Sequence, residues 1–350
     1  MTAVVLRGDA RALPLPDQSV DLVVTSPPYF GLRAYQDGGQ AYDGQIGAES
    51  TPAEYVANLI DVVRECARVL KPTGSIFVNL GDKYAGRSGP QGATGQRADR
   101  AQASTYGRTA VHPVPDKSLI GLPWRFALAA VDDLGLILRR DIIWRKINGL
   151  PESVTDRCRS SHEYLFHLTK APRYFAAIDE IREPHAEHTL RYYGPGTNAR
   201  QRPANAAGNA QNGTKNRLTT VGVLGRLPDS VGDLASEPFT PPATSPLDGR
   251  PLPEHYAAFP SALVRRIVLG WSPAGGVVAD PFGGTGTSAL VASALGRTGV
   301  SVDASHDYAR LARWRTCDRA QRAKVLGLAK PPVEVTGQAD LLADLCAEAS

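Results

Sequence analysis

Residues 277–296 read VVADPFGGTGTSALVASALG. A short β-branched run ends on an acid, Asp280. A turn follows with glycine at 283, 284 and 286, and TSALVASALG then continues as a helix. Such a turn lets the backbone approach a ligand closely, because no Cβ stands in the way. Phosphate-binding loops use the same geometry, yet no Lys-Ser/Thr pair follows the last glycine, and the spacing is not GxGxxG. The next strand, TGVSVD at 298–303, ends at Asp303, 23 residues beyond Asp280. A carboxylate in that place can accept two hydrogen bonds from a ribose diol. Glycine turn and second acid together imply an adenosine-containing ligand.

The sequence around this unit is regular α/β. VVL at 4–6 and VDLVVTS at 20–26 are short β-branched runs. Thr51-Pro52-Ala53-Glu54 opens a helix, with a capping residue, proline in the first turn and Glu three positions past the cap. Val56, Leu59, Ile60, Val63, Ala67 and Leu70 follow at helical spacing and stop at Lys71-Pro72-Thr73-Gly74. SIFVNL at 75–80 reads as a strand, 118–132 as a helix, and LILRRDIIWRK and HEYLFHLTK as strands. A proline-started helix covers about 260–270, and a last helix follows Asp307. Strand–helix repetition predicts a mostly parallel sheet covered on both faces.

Composition bounds the rest. With 350 residues the chain holds about two domains at most. Hydrophobic residues make up 42%, which fits a globular protein and not a disordered one. The cysteines at 66, 158, 317 and 346 form neither a metal spacing nor a dense disulfide pattern, as expected of a cytoplasmic protein. The first residues lack a signal-peptide pattern, and no run of 18 apolar residues occurs, so neither secretion nor a membrane span is expected.

The 34 glycines and 27 prolines concentrate in two stretches, 84–115 and about 183–253. Neither shows a sustained period of 2 or 3.6, so both read as long loops. Between His188 and Pro228 there is no acid, but there are Arg191, Arg200, Arg202, Lys215, Arg217 and Arg226. That local field is far stronger than the net charge of +4 and points to nucleic-acid contact.

A second turn carries chemistry. Thr25-Ser26-Pro27-Pro28-Tyr29 ends the second strand. Two prolines stop a sheet interior and stiffen the turn, at the sheet edge where open α/β folds bind ligands. The Ser26 hydroxyl and the Pro27 carbonyl can accept hydrogens from an exocyclic amine on a planar ring, with Tyr29 stacked on that ring. A structural turn with a packed tyrosine is the alternative for this motif alone.

Together, Thr25–Tyr29 and Asp280–Thr287 resemble the catalytic and cofactor motifs of amino-group DNA methyltransferases that use S-adenosyl-L-methionine. Catalytic motif first and cofactor motif late is similar to the β class. Gly8-Asp9-Ala10, GSIFVNLGD at 74–82, Trp144-Arg145-Lys146, Arg157, His162-Glu163, Lys170 and HYAAFP at 255–260 extend the likeness to roughly 250 of the 350 residues. Two departures are Ser301, where the family often has glycine, and Asp303, where it usually has Glu.

The resemblance implies a permuted Rossmann-like methyltransferase fold, α/β, with a mostly parallel seven-stranded sheet and loop-rich inserts. It divides the chain into a catalytic half at 1–182, a target-recognition insert at 183–253, a cofactor-binding half at 254–325 and a tail at 326–350. It implies methyl transfer to a base nitrogen, cytosine N4 or adenine N6, in duplex DNA whose target base is flipped out. Serine at position 26 favours cytosine. Catalysis falls to Ser26, Pro27, Pro28 and Tyr29. The cofactor falls to Asp9 near the adenine amine, Asp303 on the ribose, Asp280 and the 282–286 turn near the methionine moiety, with Thr25, Pro281 and Thr287 beside them. Phe282 is either a residue near the sulfonium or a sheet-edge packing residue. Methylation of C5 needs a Pro-Cys nucleophile, and no cysteine here follows proline. RNA and protein amine methyltransferases carry their motifs in the reverse order, and a non-catalytic DNA-binding module leaves the glycine turn unexplained. His162-Glu163, His185 and His188 lack a third ligand at convincing spacing, so no metal is expected. A homodimer and a restriction endonuclease of the same specificity are the further partners that the family suggests.

Overall fold

The computed structural model describes residues 2–31, 44–85, 114–149, 151–187, 224–253 and 260–329, with the backbone of 36–37 and 40–41. These residues group into two compact units, one drawn from Met1–Ala176 and Ser230–Ser350, the other from Ala177–Asp229. Loop 86–113, most of the basic stretch and 254–259 lie outside the described residues.

The first unit is built on one sheet. Its strands are β1 (Ala3–Arg7), β2 (Val20–Thr25), β5 (Leu70–Leu80), β6 (Ile137–Lys146), β7 (His162–Thr169), β8 (Val231–Leu234), β9 (Val277–Asp280) and β10 (Thr298–Asp303). A separate two-stranded ribbon pairs β3 (Gln36–Asp37) with β4 (Gln40–Ala41). The order across the main sheet is β1-β10-β9-β2-β5-β7-β6-β8. Every pair from β1 to β5 is parallel, β7 runs against both neighbours, and β8 is parallel to β6.

Eight strands among the described residues replace the seven expected. The added strand, β8, falls in the stretch read as a loop. Its four residues carry too little pattern to be seen alone, and pairing with the edge of β6 makes the strand. Trp144 Nε1 donates to the Leu234 carbonyl at 3.0 Å, and Arg145 pairs with Asp233.

The helices cover both faces. On one face lie α1 (Pro52–Val69) and α2 (Leu122–Asp132), whose Tyr55, Leu59, Val63 and Phe126 pack with Val23, Ile76 and Phe166. On the other lie α3 (Ser261–Trp271) and α4 (Thr287–Ala294), where Val264, Ile267 and Leu290 meet Leu22, Val24 and Phe77. Leu22, Val23 and Val24 therefore send alternate side chains to opposite cores, as strands buried on both faces must.

Helix α1 starts as its sequence predicts. Thr51 Oγ1 accepts from Glu54 N, and Glu54 Oε2 accepts from Thr51 N, both at 3.2 Å. Helix α2 starts at 122, not at 118. Its N-cap, Gly121, has no side chain to cap with, so Asp82 Oδ1 accepts from Gly121 N at 3.0 Å and Leu122 N at 3.1 Å. The helix expected after Asp307 is two: α5 (His306–Cys317) and α6 (Arg319–Leu326). Asp318 breaks them apart in an extended conformation, and its side chain caps α6 through Gln321 N at 2.8 Å. No helix among the described residues is long and apolar enough to cross a membrane.

The second unit holds a short 3-10 turn at Ile178–Ile181 and an antiparallel bridge between Glu183 and Arg226. Arg226 is the one basic candidate in the described residues. Its guanidinium pairs with Glu183 and Asp229, the acids that flank the acid-free stretch.

Candidate active site

Parallel pairing brings the ends of β1, β10, β9, β2 and β5 to one edge of the sheet. There Thr25 ends β2, Asp280 ends β9 and Asp303 ends β10. Strand β7 runs the other way, so its beginning, His162-Glu163, arrives at the same edge beside Trp144 and Arg145 near the end of β6. Topology thus gathers residues from five separate stretches.

Asp280 is the junction of the two motifs. It is 2% exposed and accepts three hydrogen bonds: from Thr25 Oγ1 at 2.7 Å, Ser288 Oγ at 2.7 Å and Phe282 N at 3.1 Å. Burial raises its pKa to about 6, against the pull of those donors. The glycine turn closes on the next strand: Gly284 N donates to Asp303 Oδ2 at 2.8 Å, and Gly283 N to the Val302 carbonyl at 2.9 Å. Gly284 and Gly286 have φ of +48° and +75°, the left-handed region that glycine enters without strain. A Cβ on Gly283 would lie 1.9 Å from Ser301 Oγ, so the residue at 301 leaves room for nothing larger than glycine there.

Behind the turn sits a cation that sequence reading missed. Arg315, 3% exposed, donates from Nη1 to Thr285 Oγ1 at 2.6 Å and Thr287 Oγ1 at 2.8 Å. Its guanidinium lies 4.0 Å over the Phe239 ring, and burial lowers its pKa to about 10. Thr285 and Thr287 thus face inward and hold the turn from below. Asp9 lies next to this edge: Gly8 N donates to the Asp303 carbonyl at 3.0 Å. Its carboxylate is bound by Arg11, through Nε to Oδ1 at 3.0 Å and Nη2 to Oδ2 at 2.7 Å, which lowers its pKa.

The residues fit an adenosine-containing cofactor. A glycine backbone turn, a half-buried carboxylate at the end of β10 and the half-buried Phe282 share the edge where an open sheet binds nucleotides.

The Ser-Pro-Pro-Tyr turn adjoins this region through Thr25. The Pro28 carbonyl accepts from Tyr55 Oη at 2.9 Å, which anchors the turn to α1. Tyr29 is half-buried with its hydroxyl turned inward. That hydroxyl donates to Glu163 Oε2 at 2.6 Å and accepts from Asn79 Nδ2 at 2.9 Å. Asn79 Nδ2 also donates to Glu163 Oε2 at 2.7 Å, and Lys146 Nζ pairs with Glu163 Oε1. The Ser26 side chain hydrogen-bonds the Tyr29 phenol. Burial and the Glu163 charge push the phenol pKa well above its usual value, so it stays protonated. Gly81 makes room, since a Cβ there would meet the Tyr29 ring at 2.9 Å.

Among the expected site residues, Ser26 to Tyr29, Asp280 to Thr287, Asp303, Asp9 and Thr25 all lie at or beside one sheet edge. Arg191, Arg200, Arg202, Lys215 and Arg217 lie outside the described residues. Asn79, Glu163, Lys146, Ser288 and Arg315 were not assigned from sequence. The WRK and HE motifs marked two of them, without a role.

The comparisons agree with this geometry. A family profile described as DNA methylase, of the N6/N4 methyltransferase type, matches residues 20–313. The Type II methyltransferase M.SmaI of Serratia marcescens is 36% identical over 320 residues, covering 90% of this chain and 91% of that protein. Among solved structures, PvuII DNA methyltransferase (cytosine-N4-specific) superposes with a TM-score of 0.58 at 17% identity, covering 100% of this chain and 93% of the other. TTHA0409 of Thermus thermophilus, complexed with S-adenosyl-L-methionine, gives 0.50 at 23% identity, covering 93% and 96%. With its catalytic turn before its cofactor turn on one permuted Rossmann-like sheet, the chain belongs to the N6/N4 methyltransferase family of DNA methylases.

Proposed function

We propose that the protein transfers a methyl group from S-adenosyl-L-methionine to cytosine N4 at a specific site in duplex DNA. The observation that carries the reading is the 2.7 Å bond from Thr25 to Asp280, which sets Ser26 one residue from the floor of the cofactor turn. When bound, the cofactor supplies a methyl group on a sulfonium, which the target nitrogen takes by direct displacement.

This chain's residues do the rest. The Gly283–Gly286 backbone and Asp303 hold the nucleoside part, with Asp9 beside them. Asp280, 2% exposed, acts from beneath by holding Thr25 and the start of the turn. The target base is turned out of the helix, because an amine within the stack is out of reach. Ser26 Oγ and the Pro27 carbonyl accept its hydrogens and stabilise the positive charge that grows on nitrogen, while the Tyr29 ring holds the base. Fixing nitrogen and methyl group in line removes much of the orientational cost.

Ser26 supports cytosine over adenine, as does the specificity that PvuII DNA methyltransferase carries in its name. The basic stretch 191–217 supplies phosphate contacts, with Asn, Gln and Arg side chains for base edges. The Type II name of M.SmaI supports pairing with a restriction endonuclease of the same specificity, in the cytoplasm.

The test is direct. Labelled S-adenosyl-L-methionine is incubated with the protein and mixed-sequence DNA, the DNA is digested to nucleosides, and the labelled product is identified by mass. N4-methylcytosine is expected. Methyl-adenine would overturn the base choice, and no product on any DNA would overturn the activity.

A further inference from the structure

Glu163 is 8% exposed and has no place in the scheme above, yet it is the end point of the hydrogen bonds that reach Ser26. Chemistry assigns the direction of each bond. A carboxylate only accepts. The Tyr29 hydroxyl has one hydrogen and gives it to Glu163 Oε2 at 2.6 Å. Asn79 Nδ2 donates both to the Tyr29 oxygen at 2.9 Å and to Glu163 Oε2 at 2.7 Å. The opposite amide orientation would aim a carbonyl oxygen at the carboxylate. With its hydrogen committed to Glu163, the Tyr29 oxygen can only accept from Ser26, so the Ser26 hydroxyl is the donor in their shared bond. Ser26 Oγ is then left with lone pairs for any group on its other side. Lys146, paired with Glu163 Oε1, balances the buried charge and holds the carboxylate in place.

We propose that Glu163 is a positioning residue for methyl transfer: acting through Tyr29, it fixes Ser26 Oγ as a hydrogen-bond acceptor facing the target amine. The proposal rests on the reading of Ser26 given above and adds what makes that serine an acceptor. A serine whose hydrogen is free can equally point it at the amine, donor against donor. Here every donor in the chain points inward, from Ser26 to Tyr29 to Glu163, and bonds aligned in this way polarise one another. As positive charge grows on the amine, the negative end of the chain lies two hydroxyls away.

Two substitutions test this. Glu163→Gln keeps the shape but adds a donor that can turn toward Tyr29 and reverse the chain. Tyr29→Phe keeps the ring and removes only the linking hydroxyl. Single-turnover methyl-transfer rates, cofactor affinity by calorimetry and KM for DNA are measured on wild type and both variants. For each variant the rate should fall about ten- to a hundredfold, the scale of one hydrogen bond to a developing charge. Cofactor affinity and KM should stay within about twofold, since neither contact forms in the ground state. If Glu163→Gln does not fold, as a thermal melt will tell, Tyr29→Phe carries the test alone. A Tyr29→Phe rate equal to wild type would overturn the proposal, leaving Tyr29 as a stacking ring only. So would a loss confined to KM. A wild-type protein that methylates no DNA would instead remove the reading beneath the proposal, and the proposal falls with it.

Discussion

Thr25 Oγ1 donates to Asp280 Oδ1 at 2.7 Å and so joins two motifs that lie 255 positions apart in the chain. The bond is buried and runs between neighbouring parallel strands, β2 and β9, at the point where the sheet passes from the N-terminal to the C-terminal part of the sequence. A ligand on the glycine turn and a ligand on the Ser-Pro-Pro-Tyr turn must therefore meet.

Separate duties for the two turns make a first prediction. Ser26→Ala and Tyr29→Ala should each lower the single-turnover rate by about tenfold or more. Cofactor affinity, measured by calorimetry, should change little. Rates left intact in both variants would remove the site assignment.

The buried acid predicts a pH effect on stability. Burial raises the Asp280 pKa from 3.8 to about 6, so the folded protein binds a proton that the unfolded chain releases. The associated stability is complete below about pH 4 and is lost as pH rises through about 6. Its full size is about 3 kcal/mol. Asp280→Asn cannot ionise and lacks this dependence. Urea unfolding of both proteins at pH 4 to 7.5 should show wild type losing about that much relative to the variant. A constant difference across the range would mean that the three hydrogen bonds fully offset burial.

Close packing under the glycine turn predicts a coupled pair. Gly283→Ala places a Cβ 1.9 Å from Ser301 Oγ and 2.9 Å from Ser301 Cβ, and should cost about 2–3 kcal/mol. Ser301→Gly removes both atoms and leaves the nearest contact at 3.2 Å, to Cα. The double variant should therefore recover about 1 kcal/mol or more, seen as non-additive melting temperatures. Ser301 Oγ is itself buried without a partner, so Ser301→Ala alone should be neutral or mildly stabilising. Strict additivity of the double variant would contradict the contact.

The basic stretch predicts a salt dependence. Replacing Arg200, Arg202, Lys215 and Arg217 with Gln should weaken DNA binding and flatten the plot of log affinity against log salt by about 0.9 per lost phosphate contact. Arg226→Gln should flatten it least, because Glu183 and Asp229 already offset that charge. The check is fluorescence anisotropy over a salt series. An unchanged slope in the fourfold variant would move DNA binding elsewhere.

Local chemistry explains what was legible without coordinates. The capping box at Thr51 and Glu54, the β-branched runs at 20–25 and 277–280 and the glycine turn each depend on residues within a few positions of one another, and each stands where its pattern placed it. The order of the two turns along the chain was enough to name the permuted fold. What tertiary structure alone decided has contacts too distant to leave a local pattern. Helix α2 begins where Asp82, 40 residues upstream of Leu122, meets its first amides. Strand β8 exists because the edge of β6 was open to it. Glu163 became the neighbour of Tyr29, 134 positions away, because β7 runs antiparallel and delivers its beginning to the catalytic edge. By itself, the sequence determined which residues stand at the ends of strands. Which of those ends lie side by side, and so which carboxylate sets the direction of the Ser26 hydrogen bond, follows from strand order and direction across the sheet.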